Sequence, residues 1–292
     1  MSPGRHGTLY AVLRTHAPVR ALTPADHQEA LAVCARNPAA NAFVAGRIEE
    51  GALYAMPGTL LGYHVASELR SILWAAANLV PVECHDEAVE AFAVKVRRWR
   101  RNCASVFGPR EQVAPMWSLL GPAWGPARAV RAEQPLLATT SLAPPWDEHV
   151  DPRVRLARPD EIDLVLPAAA AMFTDEIGYP PFVGSSAAYR AVISGLVRNQ
   201  RTYVWVEGNR CLFKADIGSI GVGAAQVQGV WLAPALRGQG QAKPLMAAVT
   251  AAILRDVAPE ATLYVNDFNL PARATYEALG YRRVGTFTTV LL

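Results

Sequence analysis

The chain has 292 residues, of which 51% are apolar and 18% are charged, and its formal charge at pH 7 is +3. This length is about twice that of a typical domain, so we expect two domains or one large one. The composition excludes a wholly disordered chain, and no run approaches the roughly 18 apolar residues that a membrane span needs. The small positive charge allows weak attraction to polyanions but does not favour a nucleic-acid partner.

The N-terminal segment 1–17 mixes Arg and His with apolar residues and has no apolar stretch typical of a signal peptide, so a cytoplasmic location is expected. The cysteines Cys34, Cys84, Cys103 and Cys211 lie far apart and form no CxxC pair. Neither a disulfide framework nor a metal site is therefore predicted.

Two pairs of similar segments indicate a tandem duplication. Residues 19–26 and 154–161 each predict a short strand, a proline-containing cap and a helix. Residues 78–81 and 231–234 each predict an apolar strand that stops at a proline and is followed by a helix.

The prolines between residues 143 and 152 interrupt regular structure and mark the best candidate for a linker. We therefore predict domains at 1–145 and 146–292. In the second half, the predicted elements alternate in type, which predicts an α/β or α+β domain with one central sheet. In chain order they are a strand at 153–157, a helix at 160–173, a Gly/Pro loop at 178–184, a helix at 186–198, two strands flanking the turn at 207–209, a strand at 225–232, a helix at 240–256, a strand at 261–266, a helix at 270–279 and a strand from about 282 to 291.

A glycine-containing loop follows the strand at 225–232. Gly238 and Gly240 let the backbone bend so that successive N–H groups point into one concavity, and the positive end of the next helix adds to it. The segment predicts an anion-binding loop, although glycines often do no more than begin a helix. It is not the GxGxxG dinucleotide motif, because the second spacing differs.

A second polar segment lies between the strand at 261–266 and the last strand. Asn269 is predicted at the N-cap of a helix that has Pro271 in its first turn. Ala272, Tyr276 and Leu279 share one helical face. On this evidence alone, Tyr276 is either a core aromatic residue or a side chain that faces a ligand.

Together the two segments resemble the acetyl-CoA motifs of the GNAT superfamily of N-acyltransferases. The matching patterns are Arg237-x-x-Gly240-x-Ala242 and Asn269-x-x-Ala272-x-x-x-Tyr276-x-x-x-Gly280-Tyr281. The resemblance covers residues 153–292 well and the first half only in outline. It implies tandem GNAT-like domains, each with a mixed, mostly antiparallel central sheet flanked by helices.

The resemblance also implies site residues. A splayed strand would pair its backbone with pantetheine, the loop would donate N–H groups to the pyrophosphate, and Asn269 would contact the cofactor arm. The implied binding residues are Val230, Trp231, Leu232, Arg237, Gly238, Gln239, Gly240, Gln241, Ala242, Lys243 and Asn269. Tyr276 would protonate the departing thiolate, because a phenol of pKa ~10 keeps its proton at neutral pH.

The general base departs from the family pattern. Many relatives have a carboxylate at one of two positions that are occupied here by Gln226 and Tyr264. The remaining candidates are Asp175 and Glu176, just before the Gly/Pro loop, and Asp216 on a hairpin strand. Each of these is more often a solvated surface acid. We favour Glu176 as the base.

The first half lacks the anion-binding loop. Its equivalent segment, 82–88, has no glycine and three carboxylates, which would repel a pyrophosphate. The equivalent of the second motif, 105–111, contains neither Asn nor Tyr. We interpret the first half as a degenerate copy that covers the acceptor site or stabilises the pair of sheets.

The sequence therefore predicts direct transfer of an acetyl group from acetyl-CoA to a small-molecule or peptide amine, without a covalent enzyme intermediate. Two other functions remain open, namely an acyl-CoA sensor without turnover and a transferase that uses aminoacyl-tRNA. The acceptor and the oligomeric state cannot be predicted, because variable loops set acceptor specificity.

Overall fold

The computed structural model describes residues 18–292, so the predictions for segment 1–17 lie outside the described residues. The strands form one 12-stranded sheet in the order β1-β2-β3-β4-β5-β12-β6-β11-β10-β9-β8-β7. Most neighbouring strands are antiparallel, and the pairs β4–β5 and β10–β11 are parallel. The mixed, mostly antiparallel architecture is thus confirmed, but the two expected sheets form one continuous sheet.

The strands are β1 (Val19–Ala21), β2 (Leu60–Val65), β3 (Glu68–Ala75), β4 (Asn78–Val82), β5 (Ser105–Pro109), β6 (Ala129–Thr139), β7 (Arg155–Leu156), β8 (Thr202–Glu207), β9 (Arg210–Gly221), β10 (Ala224–Leu232), β11 (Glu260–Tyr264) and β12 (Arg282–Leu291). The α-helices are α1 (His27–Cys34), α2 (Pro38–Glu49), α3 (Ala52–Ala55), α4 (Asp86–Val96), α5 (Arg110–Trp124), α6 (Ile162–Ile177), α7 (Ala187–Arg198), α8 (Ala242–Asp256) and α9 (Leu270–Ala278). None of these helices combines the length and the hydropathy that crossing a membrane requires.

Each half begins with an equivalent ion pair between an arginine and a carboxylate. Arg20 donates from both terminal nitrogens to Asp26 at 2.9 and 2.6 Å, and Arg155 donates in the same way to Glu161 at 2.7 and 2.6 Å. In both places the acid ends a short 3₁₀ turn that begins with proline and leads into an α-helix. This repeated arrangement matches the similarity of the two sequence segments.

The last strands of the two halves are exchanged. The series β4-α4-β5-α5-β6 in the first half corresponds to β10-α8-β11-α9-β12 in the second. However, β12 pairs with β5, and β6 pairs with β11, while β6 and β12 also pair with each other. Each half therefore completes the sheet of the other.

The helices cover both faces of this sheet. Adjacent residues of a strand point to opposite faces, and Leu136 packs with α1 and α2 whereas Leu137 packs with α8 and α9. By the same alternation, Val204 faces α6 and α7 while Tyr203 faces α8. We call the first side, with α1, α2, α6 and α7, the α2/α6 face, and the opposite side the α8/α9 face.

Two predictions about strand and helix ends need correction. The strand at 78–81 does not stop at Pro81, because β4 continues to Val82 and Pro81 lies opposite Leu73 in the ladder. The helix predicted at 160–173 begins as a 3₁₀ turn and continues to Ile177. That extension matters because it brings Asp175 and Glu176 onto the last turn of α6.

Candidate active site

The central feature of the second half is a cleft between β10 and β11. The strand β10 pairs with β9 from Ala224 to Leu232, but with β11 only through its first three residues. Beyond Gln226 and Thr262 the two strands separate. Among residues 18–292, the edge of β10 beyond Gln226 therefore has no strand partner, and it can bind an extended ligand through its backbone.

A register irregularity between Gln228 and Trp231 bends β10 at this point. Gly229 has φ +59°, and the fully buried Lys214 donates from Nζ to its carbonyl oxygen at 2.7 Å. A Cβ at residue 229 would lie 2.8 Å from Asp216 Oδ2 and 3.0 Å from Lys214 Nζ. Only glycine fits this close approach, so Lys214 and Gly229 together fix the bend.

The loop after β10 has the geometry of an anion-binding loop. Gly238 and Gly240 have φ values of +75° and +74°, and α8 begins at Ala242. In the described part of the chain, none of the backbone N–H groups from 238 to 241 donates a hydrogen bond to another residue. A Cβ at either glycine would have no atom within 4 Å. Among the described residues these four N–H groups thus have no protein acceptor, and both glycines border open space just before the start of α8. A loop of this kind suits an anion.

Two arginines hold the loop in place. Arg237 donates from Nε to the Leu232 carbonyl oxygen at 2.9 Å and forms an ion pair with Asp175 at 3.0 Å. The charge of Asp175 is thus already paired. Arg153 donates to Gln241 Oε1 at 3.2 Å and stacks over the Trp205 ring at 3.7 Å. The loop is therefore attached both to α6 and to β8.

The side chains of the predicted pantetheine strand alternate between the two faces of the sheet. Val230 and Leu232 pack into the cluster under α8 and α9, and Trp231 packs against α6 and α7. Their side chains thus anchor β10 on both faces and leave its backbone edge at the cleft. Asn269 caps α9, because its side chain accepts a hydrogen bond from the Ala272 N–H at 3.3 Å. Its proposed contact with the cofactor arm stays a prediction, as do the other contacts implied by the resemblance.

Tyr276 lies on the buried side of α9, with 6% of its surface exposed. Its ring lies 5.8 Å from that of Tyr281, whose hydroxyl is hydrogen-bonded to Thr250 at 3.0 Å. Burial, and then the nearby Tyr281 and Glu176, raise the pKa of Tyr276 well above its usual value. The phenol therefore stays protonated at neutral pH, as a general acid must.

Glu176 lies in the same cleft. Solvent reaches its side chain, but the surrounding protein replaces enough water to raise its pKa. Asp175 raises this pKa further, whereas Arg131 and Lys214 act against the shift. The Glu176 charge in turn contributes to the raised pKa of Tyr276. The two side chains predicted to act as base and acid therefore lie close enough to influence each other.

The third base candidate, Asp216, is not available, and the two family positions at Gln226 and Tyr264 hold no carboxylate. Asp216 is 3% exposed and forms an ion pair with Lys214 at 2.6 Å, so its interpretation as a solvated surface acid is wrong. Gln226 is buried, and Tyr264 packs against Phe287 with ring centroids 4.9 Å apart. Burial raises the pKa of Tyr264 to about 12.

The first half contributes two arginines that sequence reasoning missed. Arg131, on β6, donates from Nη2 to the main-chain oxygen of Glu176. Arg128, just before β6, lies over the ring of Tyr179 at 4.5 Å. No local signal predicts these contacts, because they depend on the exchange of β6 into the second half.

An aromatic cluster supports the loop between α6 and α7. The Phe173 ring packs edge-on against Tyr179 and Tyr189, at 5.8 and 6.1 Å, and Phe182 lies 6.0 Å from Tyr189. Tyr189 also donates to the Ala169 carbonyl oxygen at 2.9 Å. The wall of the cleft beside Glu176 is therefore both aromatic and fixed in position.

This arrangement, with a splayed parallel strand pair, free N–H groups at a helix start and a buried tyrosine, defines an acyltransferase-type cleft. Residues 171–281 match the model of the acetyltransferase (GNAT) family, so this part of the chain is a GNAT domain. Residues 58–165 match a domain of unknown function, DUF4081. The family match supports acyltransferase activity.

Several solved structures share the fold over nearly the whole chain. A GCN5-related N-acetyltransferase from Sphaerobacter thermophilus is 16% identical with a TM-score of 0.59, covering 94% of this chain and 95% of that one. A tandem GNAT protein from the clavulanic acid biosynthesis pathway is 14% identical with a TM-score of 0.55, covering 94% and 98%. A GNAT acetyltransferase from Colwellia psychrerythraea is 11% identical with a TM-score of 0.54, covering 94% and 99%. No curated protein matches the sequence.

Proposed function

We propose that the protein is a cytoplasmic N-acetyltransferase that moves an acetyl group from acetyl-CoA to an amine. In this proposal, residues 146–292 carry the catalytic GNAT domain, and residues 1–145 are a degenerate copy without a cofactor site. The observation that carries the proposal is the free edge of β10 leading to four unbonded N–H groups at 238–241. A strand edge and an anion-binding loop in series suit a ligand that has amide groups and then a pyrophosphate.

The residues of the cleft have separate tasks. The backbone edge of 227–232 binds the pantetheine amides, and the loop with the start of α8 binds the pyrophosphate. Arg237 keeps the loop against α6 through Asp175 rather than serving only as a phosphate ligand. Acetyl-CoA supplies the activated acetyl group as its thioester.

Glu176 and Tyr276 move the protons. Glu176 accepts the proton of the incoming ammonium group, directly or through one water, so that the neutral nitrogen can attack the thioester carbonyl. Its raised pKa makes it a better base than an ordinary surface carboxylate. As the carbon–sulfur bond breaks, the Tyr276 hydroxyl donates its proton to the sulfur and is protonated again from solvent. After the attack, the nitrogen gives up its second proton to solvent. With the proton that Glu176 later releases, one ammonium and one thioester thus become one amide, one thiol and one proton.

Titration calorimetry with acetyl-CoA tests the cofactor site. One site per chain is expected, since the first half has no equivalent loop. Gly240→Asp should weaken binding by at least tenfold, about 1.4 kcal/mol, because its carboxylate repels the pyrophosphate. Gly240→Asn is the matched control, because it has the same size and the same strain at φ +74° but no charge. Equal affinities in the two variants, or two sites per chain, would contradict the proposal.

Thiol release with a panel of amines and peptides tests the reaction. Steady release of CoA that depends on the amine supports the transferase. Binding of acetyl-CoA without turnover of any acceptor would indicate an acyl-CoA sensor. Turnover that requires aminoacyl-tRNA, together with a salt-sensitive gel shift, would indicate the tRNA-dependent transferase.

A further inference from the structure

Two arginines from the first half reach the cleft of the second half without a carboxylate partner. Arg131 and Arg128 form no ion pair with any acid among residues 18–292, and segment 1–17 contains no Asp or Glu. Arg131 is half-buried, and Arg128 is exposed. Uncompensated arginines beside a ligand cleft are good candidates for binding an anion.

The ladder between β6 and β12 aims Arg131 at the cleft. Gln134 lies opposite Phe287, and Arg131 lies opposite Thr289, so β6 has one extra residue in this interval. In a regular strand, two residues three positions apart, such as Gln134 and Arg131, point to opposite faces. The bulge places both on the α2/α6 face, where the Arg131 guanidinium meets the end of α6.

The other charged groups around this point are already paired. Glu133, which lies two residues after Arg131 on β6, forms ion pairs with Arg110 and Arg283. Asp175 is paired with Arg237, and Asp216 is paired with Lys214. Glu176 is the remaining acid near Arg131, and its carboxylate makes no ion pair among the described residues. The cleft therefore presents one acid next to a separate pair of unpaired cations.

We infer that Arg131 and Arg128 form an anion subsite for the acceptor, which is an amine that also carries a carboxylate or a phosphate group. This inference rests on the proposed transferase function. The ammonium group of the acceptor goes to Glu176, and its oxyanion goes to the guanidinium forks of Arg131 and Arg128. Carboxylate and phosphate both match the planar fork of an arginine. The first half thereby selects the acceptor, although it lacks a cofactor loop.

The opposing explanation is structural. Arg131 donates to a carbonyl in the last turn of α6, and Arg128 stacks on Tyr179, so both could simply hold the loop between α6 and α7. A holding role and an anion subsite differ in one respect. Loss of the holding contact slows every acceptor alike, whereas loss of the subsite slows only acceptors that carry an anion.

The test compares acceptors that differ only in the anion. Acetyl-CoA-dependent thiol release is measured with ω-amino acids from glycine to ε-aminocaproate and with the n-alkylamines that have a methyl group in place of the carboxylate. The aminoalkyl phosphates form a third series, which distinguishes phosphate from carboxylate. All rates are taken at a pH well above the acidic limb, so that a changed pKa of Glu176 does not alter the ratios. We expect kcat/KM to favour one anionic series by at least tenfold over the alkylamines.

Arg131→Gln should reduce this preference to near one while alkylamine turnover stays within about threefold, since an alkylamine has no anion for the guanidinium to bind. Arg131→Lys should retain part of the preference. Arg70→Gln is the matched control, because Arg70 is also a strand arginine of the first half but pairs with Glu68 away from the cleft. This control should keep the full preference.

The outcomes separate the subsite from the reaction itself. Turnover of alkylamines as fast as of both anionic series would overturn the subsite and leave the transferase intact. An equal loss with every acceptor in Arg131→Gln would assign Arg131 to holding the loop. If none of the three series releases CoA, amine transfer fails, and the subsite fails with it.

Discussion

The two halves differ most in the loop that follows their fourth strand. In the second half, residues 233–241 separate β10 from α8, and the N–H groups at 238–241 are free. In the first half, only residues 83–85 separate β4 from α4. There the Cys84 N–H donates to Gln112 Oε1 at 3.0 Å.

The short loop of the first half also contains an acid. Glu83 accepts a hydrogen bond from Asn41 Nδ2 at 2.9 Å, so its carboxylate is held in the segment that corresponds in sequence to the predicted anion-binding loop. The helix that follows differs as well, because Met116 is the seventh residue of α5 and Tyr276 is the seventh of α9. The two halves therefore share one sheet architecture but differ in the loop and in the helix position that the proposed function requires.

The largest effect is expected from separating the halves. A fragment 146–292 alone should fail to fold cooperatively, because β11 would lose β6 and β12 would lose both of its neighbours. Phe287 and Val290 would become exposed, and each buried side chain of this size contributes about 1.5–3 kcal/mol. Circular dichroism and thermal unfolding of the fragment measure this.

Coexpressing 1–145 with 146–292 is the matched experiment, and it should restore a stable complex that binds acetyl-CoA. A fragment 146–292 that unfolds cooperatively and binds acetyl-CoA by itself would show that the strand exchange is dispensable. In that case, the second half would fold and bind the cofactor independently of the first.

The next largest effect is expected at Tyr276. Tyr276→Phe keeps the ring and removes the hydroxyl, so kcat should fall roughly 10²-fold while acetyl-CoA affinity stays unchanged. Tyr281→Phe is the control, because it removes a hydroxyl from the same aromatic pair but one that is bonded to Thr250. Steady-state thiol release measures kcat, and titration calorimetry measures the affinity for acetyl-CoA. If the two variants have the same kcat, Tyr276 is a core residue like Met116 in the first half.

Glu176 should control the acidic limb of the pH profile. The base must be deprotonated to act, so kcat/KM rises as pH rises through the raised pKa of Glu176. The limb should lie at the same pH for acceptors of different basicity, and it should disappear in Glu176→Gln with a roughly 10²-fold lower rate at the plateau. The pH profile of kcat/KM with two amines measures this.

The groups that face Glu176 predict how this limb moves. Arg131 and Lys214 lower the pKa of Glu176, so Arg131→Gln should shift the limb to higher pH. Asp175 acts in the opposite direction, so Asp175→Asn should shift it to lower pH. A limb that follows the pKa of the acceptor amine would mean that the amine arrives neutral and that no enzyme base exists.

The sequence predicted local structure well because the periodic patterns and caps are local. The helix predicted at 186–198 is Ala187–Arg198, the final strand predicted from about 282 to 291 is Arg282–Leu291, and Asn269 is an N-cap. The burial of Asp216 could have been predicted, since Lys214 lies two residues away on the same strand and faces the same side. An acid and a base at that spacing can pair inside a sheet.

The strand exchange and the position of Arg131 were not predictable. Which strand pairs with β5 or β11 depends on contacts between distant residues, and both β6 and β12 have the pattern of a suitable strand. The side to which Arg131 points depends on one extra residue in a ladder with Thr289. A single sequence does not reveal a bulge whose partner strand is unknown.

The smallest predicted effect concerns the ion pair that both halves share. Arg20 and Arg155 hold the pKa of Asp26 and Glu161 below their ordinary values, that of Glu161 at about 2. A lowered carboxyl pKa adds stability above the unfolded pKa of roughly 4, and this stability is lost as pH falls through the folded value. Because each arginine is 39–48% exposed, solvent screening limits each pair to about 1 kcal/mol. Asp26→Asn and Glu161→Gln should each lower the free energy of unfolding by that amount at pH 7 and by less at pH 2, where the pKa of the folded carboxyl is only being reached. Urea titrations at the two pH values would measure this. If the two ion pairs are equivalent, both variants lose the same free energy of unfolding. A loss in the Glu161 variant alone would mean that the ion pair in the first half does not stabilise the fold.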